Sequence, residues 1–87
     1  MIVTMSYEPF ERLIVTLRDD GLLAESDLLY DMIHKTAWTT GSELIGELGK
    51  SIRKIRKENI NRLSADSIKN IKESMKMVKE VWPGFWG

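Results

Sequence analysis

The chain contains no cysteine, so no disulfide braces its fold and no thiolate serves as nucleophile or metal ligand. With cysteine goes any mark of an oxidising compartment, and the cytoplasm is the expected location. Histidine occurs once, at His34, and proline twice, at Pro9 and Pro83. Long apolar runs are missing too. None approaches the roughly 18–20 residues of a membrane span, and Met1 to Met5 is too short and too uncharged for a secretory leader. A membrane partner is therefore not expected. No period-2 strand pattern survives, Ile2-Val3 being too short to count, and there are neither repeats nor low-complexity stretches.

Net charge is absent as well, with 13 bases against 13 acids, but that total conceals a division. Met1 to Gly49 carries nine acids against three bases, a balance of −6, and Lys50 onward carries ten bases against four acids, a balance of +6. Such a split means either two halves that neutralise each other within one fold or two surfaces that meet different partners.

The chain has 87 residues, enough for one domain; at this size roughly 60% of the unfolded surface is buried, and dimerisation would reinforce a thin core. Its 43% hydrophobic and 30% charged composition is that of a globular protein and excludes intrinsic disorder. The spacing predicts four amphipathic helices. The first, over about 7–19, carries Phe10, Leu13, Ile14 and Leu17 on one face, with Ser6 as N-cap, Pro9 in the first turn and Gly21 as the stop. The second, over about 24–36, sets Leu28, Leu29, Met32 and Ile33 on one face. The third, over about 41–58, opens on a Thr40-x-x-Glu43 capping box and continues on Ile45, Leu48, Ile52 and Ile55. The fourth, over about 65–82, starts after Ser64 on Ile68, Ile71, Met75, Val78 and Trp82, and Pro83-Gly84 ends it. Narrow stripes joined by short connections predict an all-α, up-down-up-down four-helix bundle. Residues 1–5 are expected to fray and 83–87 to form an aromatic tail.

Alternating direction gathers Tyr7, Phe10, Trp38, Trp82, Phe85 and Trp86 at one end of that bundle. The structural reading makes the tail a lid closing the core against Trp38, and the functional reading makes these rings anchors for a partner. At the other end, Asp19 and Asp20 are expected to be offset by Lys57 and Arg62. Acidic helices packed on basic ones are also expected to absorb much of the −6/+6 split laterally.

On helix three, Lys50, Arg53, Lys54 and Lys57 fall opposite the apolar stripe, and Lys69, Lys72, Lys76 and Lys79 form a second stripe on helix four. A surface of this kind suits an acidic protein or the phosphates of a nucleic acid, but no recognisable nucleic-acid motif accompanies it. His34 is expected to point outward near Asp27, Tyr30 and Asp31, short of the inward-facing ligands a bundle metal site needs. The hydroxyls of Thr39, Thr40 and Ser42 read as a cap rather than a phosphate cradle. Gly46 and Gly49 each cost a helix about 1 kcal/mol relative to alanine, which implies a close approach either within the fold or across a dimer. No nucleophile and base are marked out, and Glu43 with Glu47 has no matching acidic helix.

These readings converge on a cofactor-free, metal-free, non-catalytic interaction or regulatory module of the adaptor, inhibitor or immunity type. Trp38, Trp82, Phe85 and Trp86 are its candidate anchors, and Lys50, Arg53, Lys54 and Lys57 its candidate steering charges toward an acidic protein. The alternative is a nucleic-acid-associated regulator using the same basic face. Opposite-charge surfaces and the glycine-bearing helix permit a homodimer alongside either.

Overall fold

Helical periodicity is realised in four helices: α1 (Glu8–Asp19), α2 (Leu23–His34), α3 (Gly41–Asn59) and α4 (Ala65–Val81). The computed structural model describes residues 7–85, so the expected Ser6 cap, the fraying of 1–5 and Trp86 lie outside it. The fold is all-α, and no strand occurs among the described residues.

Helix α1 buries Phe10, Leu13, Ile14 and Leu17, the face its spacing predicts, and has Pro9 in its first turn. It ends at Gly21, whose φ of 82° lies in the left-handed region that favours glycine. There the Gly21 N–H donates to the Arg18 carbonyl and the Leu22 N–H to the Leu17 carbonyl. This bond pair closes the helix and sets the buried Leu22 against the buried Leu17.

Helix α2 departs from its expected face. Leu29 is fully buried, but Leu28 stays 47% exposed and the seam runs instead through Leu22, Ser26 and Leu29, with Met32 and Ile33 packed at its margin. Ser26 Oγ donates to the Ile14 carbonyl of α1 at 2.8 Å. A small side chain whose hydroxyl is satisfied lets the two helices come close, and the helix turns toward α1 accordingly. That rotation carries Leu28 to the outer edge. The helix also stops two residues early: the Lys35 N–H makes its last i→i−4 bond, to the Asp31 carbonyl, which accepts the Thr36 hydroxyl as well.

Helix α3 opens on its predicted box. The Glu43 N–H donates to Thr40 Oγ1 at 3.1 Å, while the Glu43 carboxylate reaches back to the N–H of Thr39 rather than of Thr40. Helix α4 is capped by Ser64, whose Oγ accepts from the Ser67 N–H. Asp20 completes that cap from the end of α1. Its Oδ2 accepts from the Ser64 N–H at 3.0 Å, the Ser64 hydroxyl at 3.1 Å and the Ser67 hydroxyl at 2.6 Å. No ion pair joins Asp19 or Asp20 to Lys57 or Arg62 among the described residues, and at Asp20 neutral donors stand where the expected offset would be. A carboxylate at a helix N-terminus with free N–H groups is the more favourable arrangement.

The helices form a ring in which α1 packs on α2 and α4, and α3 on α4 and α2, with the α2–α3 seam the lightest. The core at its centre is built from Phe10, Leu13, Leu17, Leu29, Ile45, Leu48, Ile52, Ile71 and Val78. Antiparallel direction is visible at both ends. Asp20 meets the start of α4, and at the far end the Trp82 indole N–H donates to the Ser42 carbonyl at 2.8 Å.

Candidate interaction surface

The glycines of α3 define how α4 lies on it. A Cβ at Gly49 would stand 2.7 Å from Val78 Cγ1 and 2.9 Å from Phe85 Cζ; one at Gly46 would stand 3.1 Å from Trp82 Nε1. The close approach these residues imply is therefore internal, between α3, α4 and the start of the tail. Phe85 closes over Gly49, and Trp82 lies along Gly46 while remaining 45% exposed. Trp38 is half-buried, and its indole N–H donates to the Met32 carbonyl at 2.6 Å, tying the α2–α3 connection to α2. No ring contact joins Trp38 to Trp82 or Phe85 among the described residues. The tail accordingly closes on the glycine face of α3 and not on Trp38.

Beyond the glycines the same register carries α3 past α4 until Arg56 stands beside Lys72. There Arg56, Lys72, Lys76 and Lys79 line a groove of about 470 Å³ with Met75 at its floor and Glu80 at its edge. A second groove, of about 580 Å³, lies between the start of α3 and the tail, with Trp82 and Phe85 on one wall and Lys50 on the other. Lys50, Arg53, Lys54 and Lys57 are all exposed on the outer face of α3. Lys50 pairs with Glu47 of the same helix at 3.2 Å, and Arg53, Lys54 and Lys57 have no ion-pair partner among the described residues.

Among the described residues, ion pairs do not bring about the expected lateral neutralisation. From Tyr7 to Thr39 seven acids face three bases, a balance of −4, and from Thr40 to Phe85 ten bases face six acids, a balance of +4. One ion pair crosses between these halves among the described residues, Arg12 with Glu73 at 2.7 Å. It consumes a base of the acidic half and an acid of the basic half, so it sharpens the division. The Arg12 guanidinium is held above its ordinary pKa by hydrogen bonds to Glu73 and then Glu8. Arg18 likewise pairs within the acidic half, with Asp27 at 3.0 Å. The α1–α2 side is left acidic and the α3–α4 side basic.

His34 faces a partner that its neighbours in sequence do not reveal. Its Nε2 lies 2.8 Å from Oε2 of Glu11 on α1, and its ring packs on Tyr30 at 4.5 Å between centroids. Asp27 and Asp31, expected beside it, bond Arg18 and Lys35 instead. Among the described residues no group of three or more His, Asp or Glu side chains is arranged to hold a metal ion, and no helix is long and apolar enough to cross a membrane.

The basic groove is the feature that residue-by-residue reading overlooks. Arg56 and the α4 lysines lie on different helices, and only the register of Gly49 against Val78 brings them together. Compared with protein-family models, curated proteins and solved structures, the chain matches none of them.

Proposed function

We propose that this chain is a non-catalytic interaction module that docks an acidic protein on its α3–α4 side. The observation that carries the reading is the unneutralised cationic surface: Arg53, Lys54 and Lys57 are exposed with no ion pair, and the cross-half ion pair runs in the wrong sense to quench them. Like charges so placed at i, i+3 and i+4 weaken a helix by about 0.2–0.5 kcal/mol per pair, which offsets what Lys57 gains in the last turn of α3. A partner of opposite charge gains steering and orientation. Trp82, half-exposed beside Lys50, supplies the apolar anchor, with Phe85 lining the same groove. Trp38 and Trp86 complete the proposed anchor set, and a cysteine-free chain suits a reducing cytoplasm.

The polar groups that catalysis would recruit have structural partners. Ser26 is bonded to backbone, Ser64 and Ser67 to Asp20, and His34 to Glu11. The carboxylate within reach of Ser64 and Ser67 is held below its ordinary pKa by those same bonds and is a weak base, which favours a capping role over a nucleophile–base pair.

A photocrosslinker placed at Lys54 of the full chain in its source cells tests the proposal. The expected result is one crosslinked protein, recovered equally after nuclease treatment and lost when Lys50, Arg53 and Lys57 are changed to glutamate. Recovery that disappears with nuclease overturns it in favour of nucleic acid.

A further inference from the structure

The docking proposal names a side of the molecule, and the geometry points to a seat on it. Lys72, Lys76 and Lys79 follow one another at steps of four and three along the flank of α4, on the wall opposite Arg56 of α3. At 1.5 Å per residue they span about 10 Å, or two helical turns. None of the three lysines has an ion-pair partner among the described residues, and all are exposed. Between the walls lies Met75, an adaptable thioether floor that accepts apolar side chains of varied shape.

We propose that this groove receives an acidic amphipathic helix of the partner protein, laid along it as a fifth helix. The proposal rests on the docking reading above and deepens it. Its warrant is a match of period as well as of charge. A helix bears carboxylates at i, i+4 and i+7 on one face with the same rise that spaces Lys72, Lys76 and Lys79, so each acid meets one ammonium without either backbone bending. The residues between those acids turn an apolar edge to Met75, the arrangement by which amphipathic helices occupy grooves. A phosphate backbone matches the charge but has no apolar edge for that floor. Glu80 sets direction, because a partner acid at that position meets a like charge.

Two synthetic helices of about four turns test this, identical in composition. One carries glutamate at i, i+4 and i+7 beside leucine, and the other has the same residues scrambled. Titrated into isotopically labelled full-length protein, the ordered peptide is expected to shift the signals of Arg56, Lys72, Lys76, Lys79 and the Met75 methyl. It should bind at least about tenfold more tightly than the scramble. Lys72, Lys76 and Lys79 changed together to glutamate should abolish that preference while helicity is unchanged, and Glu80→Gln should tighten binding by about two- to threefold at moderate salt. The gain from Glu80→Gln cannot come from misfolding. Equal affinity of the two peptides overturns the seat, as does tighter binding of a short DNA or RNA duplex in the same titration. Shifts confined to Lys50–Lys57 or to Trp82 overturn the groove while leaving the docking reading standing. Loss of the nuclease-resistant crosslink overturns that reading separately.

Discussion

Asp20 shows how one residue can hold two helices. Burial opposes its charge, but hydrogen bonds from the Ser67 hydroxyl and from the Ser64 N–H and hydroxyl outweigh that and leave its carboxyl below the usual carboxylate range. A group more acidic folded than unfolded stabilises the fold fully above its unfolded pKa of about 3.9, and loses that contribution as pH falls through the lower folded value. Asp20→Asn is therefore expected to cost about 1–2 kcal/mol at pH 7, as the loss of a charged cap does. Denaturant melts should show the gap from wild type closing below about pH 4, and a gap unchanged at pH 2.5 refutes the capping role. Gly49 makes the opposite kind of demand. Alanine there gains about 1 kcal/mol of helix propensity but presses its Cβ on Val78, a stiff and fully buried side chain. Overpacking costs about 1–3 kcal/mol, so Gly49→Ala should lower Tm, whereas Gly46→Ala, meeting only the edge of the half-exposed Trp82, should leave it within a degree or two. Among the described residues, the Ser74 hydroxyl is the one buried side-chain polar group without a hydrogen-bond partner. Replacing Ser74 by alanine removes an unsatisfied hydroxyl and should raise stability by about 1 kcal/mol in the same melts.

At the scale of elements, α1 and α3 are readable because their apolar residues fall on one stripe and their ends carry recognisable signals. Helix α4 is readable in part: Ile71, Met75 and Val78 are buried as expected, but Ile68 is only partly covered and Trp82 stands 45% exposed beyond the helix end. Gly21, Thr40 with Glu43, and Ser64 each act where the pattern places them. Buried polar residues are the shared reason, since Ser26 of α2 and Ser67, Asn70 and Ser74 of α4 give no apolar signal; in α2, which buries only Ser26 and Leu29, that is enough to move the seam off the expected face. The Asp20 cap and the Glu11–His34 contact were invisible for a related reason. Each joins residues far apart in sequence, and periodicity speaks only of neighbours on one helix. The charge split was plain, but its fate depended on which side chains meet across seams, and there the expected lateral pairing failed. Its small buried set singles out α2 as the element least tied down. It buries Ser26 and Leu29, leaves Leu23, Leu28 and Tyr30 outside, and meets α3 along the lightest seam. Local opening follows packing, so its amides should exchange at least about tenfold faster than the slowest amides of α4. Equal protection in both would show that the bundle opens only as a whole.

For the whole molecule, charge separation sets stability against recognition. Helices α1 and α2 present an acidic side and α3 and α4 a basic one, on a body with principal extents of 39 × 26 × 21 Å. At physiological salt the screening length is about 8 Å, so a partner at one side feels little of the other, and the zero net charge does not describe what it meets. Within the basic side the cations repel one another, and Arg53 is the informative place to relieve that repulsion. A glutamate at 53 stands one turn before Lys57, the favourable orientation for an i, i+4 pair, and within reach of Lys50 on its other side. If this face serves the fold, Arg53→Glu destabilises the protein. If it serves a partner, the change stabilises the helix by about 0.3–0.5 kcal/mol and weakens capture of that partner, the opposition expected where a surface is kept for binding. Paired measurements of Tm and of crosslinking yield on the one variant decide between these, and the separated charge predicts that Tm rises while yield falls.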